Sequence, residues 1–183
     1  LRRRVATMFQ NYALFDSMTV AENVSFPLVQ NQAMSVAAAR ELSAKHLDDL
    51  GLGDVLDEYP SALSGGRKKR VALARTIVTN PEVVLFDDPT TGLDPIMTEF
   101  VDKMLLEISR DYNLTSLVVS HNMASTFRLA DRIAILHEGE IVAVGSPDEM
   151  KASEDPRVNQ FVGRIEAQDI AEVERGELEA DEE

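Results

Sequence analysis

The segment Leu63-Ser64-Gly65-Gly66-Arg67-Lys68-Lys69-Arg70-Val71-Ala72-Leu73 and the acidic pair Asp87-Asp88, which ends the apolar run Val83-Val84-Leu85-Phe86, hold the residues best suited to chemistry. A serine and two glycines ahead of a helical pattern leave backbone N–H groups open at a helix N-terminus, which suits an anion. Arg67 to Arg70 place four cations in the first turn, where the macrodipole disfavours each by roughly 0.3–1 kcal/mol unless an anion or acidic neighbour compensates. Two readings stand side by side: a phosphate site, or an ordinary serine cap above a solvated basic face. Val83 to Phe86 read as a short, wholly buried strand, so Asp87 and Asp88 sit at its C-terminal edge, where open parallel sheets bind ligands. Leu117-Val118-Val119-Ser120-His121 supplies a second buried strand, ending in histidine. A lone histidine is ordinarily a neutral structural side chain; at the end of such a strand it becomes a candidate for a terminal phosphate.

In order along nearly the whole chain, these residues resemble the ATP-binding subunits of ABC transporters. Met8-Phe9-Gln10 followed by Asn11-Tyr12-Ala13-Leu14-Phe15 is similar to the glutamine loop, and Leu63 to Gly66 to the family signature. Val83 to Asp88 resembles Walker B, Thr90-Thr91-Gly92-Leu93-Asp94 the D-loop with its approach, and His121 the switch histidine. The resemblance implies a P-loop NTPase-like α/β fold with a helical subdomain, and ATP with Mg²⁺ as its ligands. It assigns Asp87 and Gln10 to Mg²⁺, Asp88 and Gln10 to the attacking water, and His121 to the γ-phosphate. Ser64, Gly65 and Gly66 would meet the γ-phosphate held by a second subunit, and Asp94 would communicate between the two sites. Dimerisation is then part of the mechanism. Within the family, the segments from Ala13 to Val24 and from Ser153 to Phe161 look most like the lipid-asymmetry (Mla-type) branch, whose permeases work with MCE proteins.

The departures from the family pattern are informative too. No G-x-x-x-x-G-K-[ST] loop occurs among the 183 residues, so the backbone cradle and lysine for the β- and γ-phosphates are not in this sequence. The chain reads as an N-terminally incomplete piece of an ATPase subunit, and the 183 residues alone are expected to show no measurable ATP turnover. Turnover by the purified chain, abolished by Asp87→Asn, would refute this. Asp88 stands where the family usually has glutamate, and Arg67 where it has glutamine or methionine.

The elements that must position these groups follow from the pattern. Pro27 closes the glutamine-loop region. Ser35 caps a helix carrying Val36, Ala39, Leu42, Leu47 and Leu50 at helical spacing and ended by Gly51. Ser64 opens the signature helix through Ile77, stopped at Asn80-Pro81. Asp94-Pro95 launches a helix to about Tyr112. Ile133 to Leu136 and Ile141 to Val144 flank a turn and predict an antiparallel hairpin. His46 and His137 read as surface histidines. The domain expected over residues 1–163 divides into a helical subdomain at about 25–80 and an α/β core at about 81–163. Residues 164–183 carry nine acids against Arg164 and Arg175, half of the chain's net charge of −14, and read as a flexible acidic tail, with a weak helical stripe at Ile165, Ile170, Val173 and Leu178.

The strongly acidic balance argues against nucleic acid as the main partner, and no apolar stretch approaches the ~18 residues of a membrane-spanning helix. The absence of cysteine excludes disulfides and thiolate metal sites. The family reading is therefore a peripheral ATPase on the cytoplasmic face of the inner membrane. Its partners would be a second ATPase subunit, an integral-membrane permease and an MCE-type substrate-binding protein, and its cargo a phospholipid or similar hydrophobic molecule. Two alternatives share the motifs: an ATPase-dead regulatory piece, and a non-transport ABC ATPase. Repair members of the latter class place a long coiled coil between glutamine loop and signature, whereas only Asn11 to Leu63 intervene here, without sustained heptads.

Overall fold

A computed structural model of the chain describes residues 4–163; the acidic tail lies outside the described residues. The chain forms two compact units, one of residues up to Pro89 with Glu107–Val119, the other of Thr90–Leu106 with the residues from Ser120 onward.

The first unit begins with strand β1 (Val5–Met8) and then builds a helical layer from α1 (Val20–Gln32), α2 (Val36–Asp49) and α3 (Gly65–Ile77). Thr19 starts α1 through a reciprocal capping box with Glu22, and Ser35 caps α2 by accepting from the Ala38 N–H. Pro27 does not close this region as expected but lies inside α1. An interior proline removes one helical hydrogen bond and costs about 3 kcal/mol. Val20, Val24 and Leu28 are fully buried on one stripe of the helix, and at roughly 1.5–3 kcal/mol each they outweigh that loss. On α2 the buried positions are Ala39, Ser43 and Leu47, with Leu42 and Leu50 at the margin; Val36, expected on the same stripe, is exposed at the first turn. Ser43 Oγ is buried without a hydrogen-bond partner among the described residues. Ser43→Ala is therefore expected to stabilise the protein by about 1 kcal/mol, through removal of an unsatisfied hydroxyl and a better helix former. A lower urea midpoint for the variant would contradict this.

Three parallel strands complete the first unit in the order β1-β2-β3, with β2 at Val83–Asp87 and β3 at Thr115–Val119. Met8 pairs with Phe86, which pairs with Val118, and Asp87 pairs with Val119. The carboxyl ends of all three strands thus form one edge. β2 is not wholly buried: Val84 and Phe86 are, whereas Val83 and Leu85 on the other face are half-covered. The larger correction concerns β3, expected to be buried. It is an outer strand of this sheet with Leu117 59% and Val119 62% exposed. An apolar run records that a strand can be buried, but burial also needs a second layer over its outer face.

In the second unit, α4 starts at Pro95 and runs to Asp111, its last turn belonging to the first unit. Asp94 Oδ1 accepts from the Met97 N–H at 2.9 Å, so the proline-led start is capped as its sequence predicts. Strands β4 (Ile133–His137) and β5 (Glu140–Gly145) pair antiparallel. The connecting residues Glu138 and Gly139 both have positive φ, 49° and 83°, as a two-residue primed turn requires. Helices α5 (Met123–Leu129) and α6 (Pro147–Lys151) lie in the same unit. His137 is half-buried, edge-on to Phe161, and in the first unit His46 is half-buried beside the Tyr112 ring; neither is the plain surface histidine expected. Among the described residues, no helix is long and apolar enough to cross a membrane.

Candidate functional site

Six of the expected site residues lie at the start of α3 and on the sheet's carboxyl edge, within the first unit. Ser64 is in extended conformation, and its hydroxyl oxygen accepts from the Arg67 N–H at 3.4 Å. Acceptance uses a lone pair and leaves the hydroxyl proton available as a donor. Gly65, at the first helical position, is exposed. A Cβ added there would meet nothing within 4 Å. Neither packing within the chain nor a positive φ accounts for this glycine, which fits a surface that something outside the chain approaches closely.

The basic run after Gly66 is largely engaged inside the unit. Arg67 pairs with Asp54 at 2.9 Å, which supplies the acidic neighbour that the macrodipole argument requires. Arg70 donates to the Leu50 carbonyl at 3.0 Å. Lys69 is 2% exposed, donates from Nζ to the Pro89 carbonyl, and lies 5.7 Å from the centre of the Tyr12 ring. Burial pulls its ammonium down to about 8, against the opposing pull of the Asp88 carboxylate. Three of the four cations are thus engaged within the unit. The helix begins at Gly65, so only Arg67 falls within the first three helical residues.

Asp87 closes β2 with an exposed side chain, and Asp88 follows with a left-handed backbone, φ 46°. The Asp88 N–H donates to the Val119 carbonyl at 2.8 Å, which fixes the corner to β3. Gln10 lies two residues past Met8 on the same edge and is exposed. It sits in a turn closed by the Tyr12 N–H to the Phe9 carbonyl at 3.0 Å. Tyr12 and Ala13 also have positive φ, 62° and 46°. Arg75 on α3 secures them by donating to both carbonyls, at 2.6 and 2.7 Å. Strained backbone of this kind persists where its surroundings over-determine it, and such positions cluster at functional sites.

His121 and Asp94 lie in the second unit. His121 is exposed just ahead of α5, between Ser120 and Asn122; Ser120 Oγ accepts from the Asn122 N–H at 3.0 Å, and Asn122 caps the helix. In the D-loop approach, Thr90 Oγ1 and Thr91 Oγ1 are buried without hydrogen-bond partners among the described residues.

Among the described residues, no group of three or more His, Cys, Asp or Glu is arranged to hold a metal ion. An exposed carboxylate at Asp87 still fits Mg²⁺, which keeps most of its waters and is held by one or two carboxylates together with substrate phosphates. Lys69 and Arg75 were not predicted from the sequence. Their signal was available: Lys69 shares a face of α3 with Ala72, Leu73 and Thr76, all buried.

Residues 1–91 match the family model described as ABC transporter. The chain is similar to the L-cystine import ATP-binding protein TcyN of Bacillus subtilis, 39% identical over 166 residues, covering 90% of this chain and 64% of that protein. It is also similar to the intermembrane phospholipid transport system ATP-binding protein MlaF of Escherichia coli, 36% identical over 165 residues, covering 90% and 61%. The methionine import ATP-binding protein MetN of Haemophilus influenzae is 39% identical over 152 residues, covering 83% and 44%. The chain therefore spans less than two thirds of each of these relatives.

Proposed function

We propose that the chain carries the ATP-binding domain of an ABC transporter and belongs to a subunit that binds and hydrolyses ATP as a homodimer. The observation that carries this reading is the shared carboxyl edge, with Gln10 just past β1 and Asp87 and Asp88 at the end of the adjacent β2. Asp87 and Gln10 would hold Mg²⁺, whose charge offsets that developing on the phosphate oxygens. Asp88 would orient the attacking water and accept its proton, and His121 would donate a hydrogen bond to the terminal phosphate. Ser64, with its available hydroxyl proton, and the open backbone at Gly65 and Gly66 would contact the nucleotide of a second copy of the subunit. Asp94, which here caps α4, would report the state of one site to the other.

The energy would drive an integral-membrane permease, with the subunit on the cytoplasmic face of the inner membrane. We assign phospholipid as the cargo, with an MCE-type protein as a further partner, on the segments resembling the Mla-type branch and the similarity to MlaF. The similarities to TcyN and MetN support a second reading, import of an amino acid. The full-length subunit reconstituted with its permease decides between them. Turnover stimulated by phospholipid and indifferent to L-cystine and methionine is expected; stimulation by either amino acid alone would overturn the lipid assignment.

We propose that the permease docks beside the segment from Gln10 to Val24. Leu14 packs against the helical core, so it is spoken for. Phe15 is 40% exposed and lines a cleft of about 400 Å³ with Phe9, Ala13, Phe26, Pro27 and Arg75. An exposed apolar cleft beside the glutamine loop fits a short apolar helix from a partner. Replacing Phe15 and Met18 with serine in the full-length subunit is expected to weaken permease co-purification and leave ATP affinity nearly unchanged. Full-strength binding by the folded variant would remove the assignment.

A further inference from the structure

Among the described residues Lys69 is the one buried lysine, and it touches two parts of the carboxyl edge at once. Its Nζ donates to the carbonyl of Pro89, the residue after Asp88. Asp88 also supplies the attractive charge that this buried ammonium feels. On its other side the ammonium lies against the face of Tyr12, two residues past Gln10. One side chain of the signature helix thus joins the corner that carries the catalytic carboxylate to the loop that carries the glutamine.

Asp88 needs such a restraint. Its backbone is left-handed, a conformation that a residue with a Cβ avoids unless its neighbours hold it there. The N–H bond to Val119 holds one side of the corner, and the Lys69 bond to Pro89 holds the other. A buried lysine is a poor choice for packing alone, since its charge must be desolvated. An aliphatic residue would fill the same stripe of α3 at lower cost, but it would satisfy neither the carbonyl nor the carboxylate.

We propose that Lys69 is a positioning residue for hydrolysis, which fixes the Asp88–Pro89 corner and its spacing from the glutamine loop within the same subunit. This rests on the reading of Asp88 as the water-orienting carboxylate. Lys69 touches neither nucleotide nor water and acts through Asp88. The signature helix then serves both copies of the dimer: its N-terminus faces the nucleotide of the second copy, and its second turn sets the carboxylate of its own.

The test uses the full-length subunit with its permease. Lys69→Met keeps the buried stem and removes the charge and donor. Because misplacing a catalytic group by about 1 Å costs on the order of 10²-fold, kcat should fall by about 10- to 100-fold. KM for ATP should stay within about threefold, the pattern of an interaction used in turnover and not in binding. Lys69→Arg, which keeps charge and donors, should recover most of the loss. In an Asp88→Asn background, Lys69→Met should lower the residual rate by less than about twofold, because the residue it positions is already gone. Lys69→Gln is made in parallel, so that a folding failure of the methionine variant leaves a second neutral substitution to decide. Wild-type kcat in a folded neutral variant, or a full additional loss on top of Asp88→Asn, would overturn the proposal and leave Asp88 in place. If Asp88→Asn itself turns over at the wild-type rate, the reading of Asp88 fails first, and Lys69 falls with it.

Discussion

In the full-length subunit, Asp88→Asn is expected to trap an ATP-bound dimer with turnover reduced by roughly 10²–10³-fold, the scale of losing one preorganised transition-state group. Asp87→Asn should be equally severe by another route, because Asp87 is the one charged group of the two proposed to hold Mg²⁺. Single-turnover hydrolysis and the dimer fraction on a sizing column separate the two: the Asp88 variant binds Mg-ATP and stalls, whereas the Asp87 variant loses Mg²⁺ dependence. Asp88→Glu has the opposite sign. Glutamate reaches one methylene further, and if that corrects a misplacement of about 1 Å, kcat rises by up to about 10²-fold, or ~2.7 kcal/mol of barrier. Against this stands the backbone at φ 46°, which aspartate tolerates better than glutamate by a margin under about 1 kcal/mol. That strain is present in ground and transition states alike, so it lowers the melting temperature and leaves the barrier alone. A glutamate variant no faster than wild type, beside an asparagine variant of undiminished activity, would show that Asp88 does not orient the water.

The parts of the fold that were legible in the sequence are those set by local chemistry. Ser35, Ser64 and Asp94 each announce a helix because a short oxygen side chain satisfies N–H groups two or three residues on. The hairpin was legible because Glu138-Gly139 suits a primed turn between alternating apolar runs. What was misread depends on contacts distant in sequence. Pro27 reads as a stop unless the buried stripe of Val20, Val24 and Leu28 is known to carry the helix past it. Leu117 and Val119 read as core because their composition records no missing second layer. Helices α5 and α6 are too short for periodicity to show, although Ser146 and Glu149 form a capping box that could have marked the second.

The site divides along the same line. Asp87, Asp88 and Gln10 stand out by type and order, and the parallel register explains why residues far apart in sequence share one edge. For the cations of α3 the sequence leaves a phosphate site and a solvated face open, because their partners are distant in sequence. Only the structure shows Arg67 on Asp54, Lys69 on Pro89, and Arg75 on the carbonyls of Tyr12 and Ala13.

The largest effect on stability is expected from a residue outside the chemistry, Asn23. It is fully buried on α1, its amide donates to the carbonyls of Phe15, Met18 and Thr19 at 3.0–3.1 Å, and its Oδ1 accepts from the Phe15 N–H at 2.8 Å. All four contacts fold the segment after the glutamine loop back onto α1. Thr19 and Phe15 carbonyls keep second donors, the N–H groups of Asn23 and Met18. The Phe15 N–H and the Met18 carbonyl have none beyond Asn23 among the described bonds. Leaving two such groups unsatisfied costs about 1–3 kcal/mol each where burial is complete. Water entering beside half-exposed Phe15 reduces this, so Asn23→Ala is expected to destabilise by about 3 kcal/mol. The loss should also be local. Amide exchange at Phe15 should accelerate far more than at Leu73 on α3, because the loop opens while the helical core holds. Permease affinity should fall with it, since the Phe15 ring, packed 4.8 Å from Phe26 and 5.9 Å from the Arg75 guanidinium, loses its backbone anchor. A denaturation midpoint for Asn23→Ala within error of wild type would mean that the segment is held by its side chains alone, and the polar anchor assigned to Asn23 would be wrong.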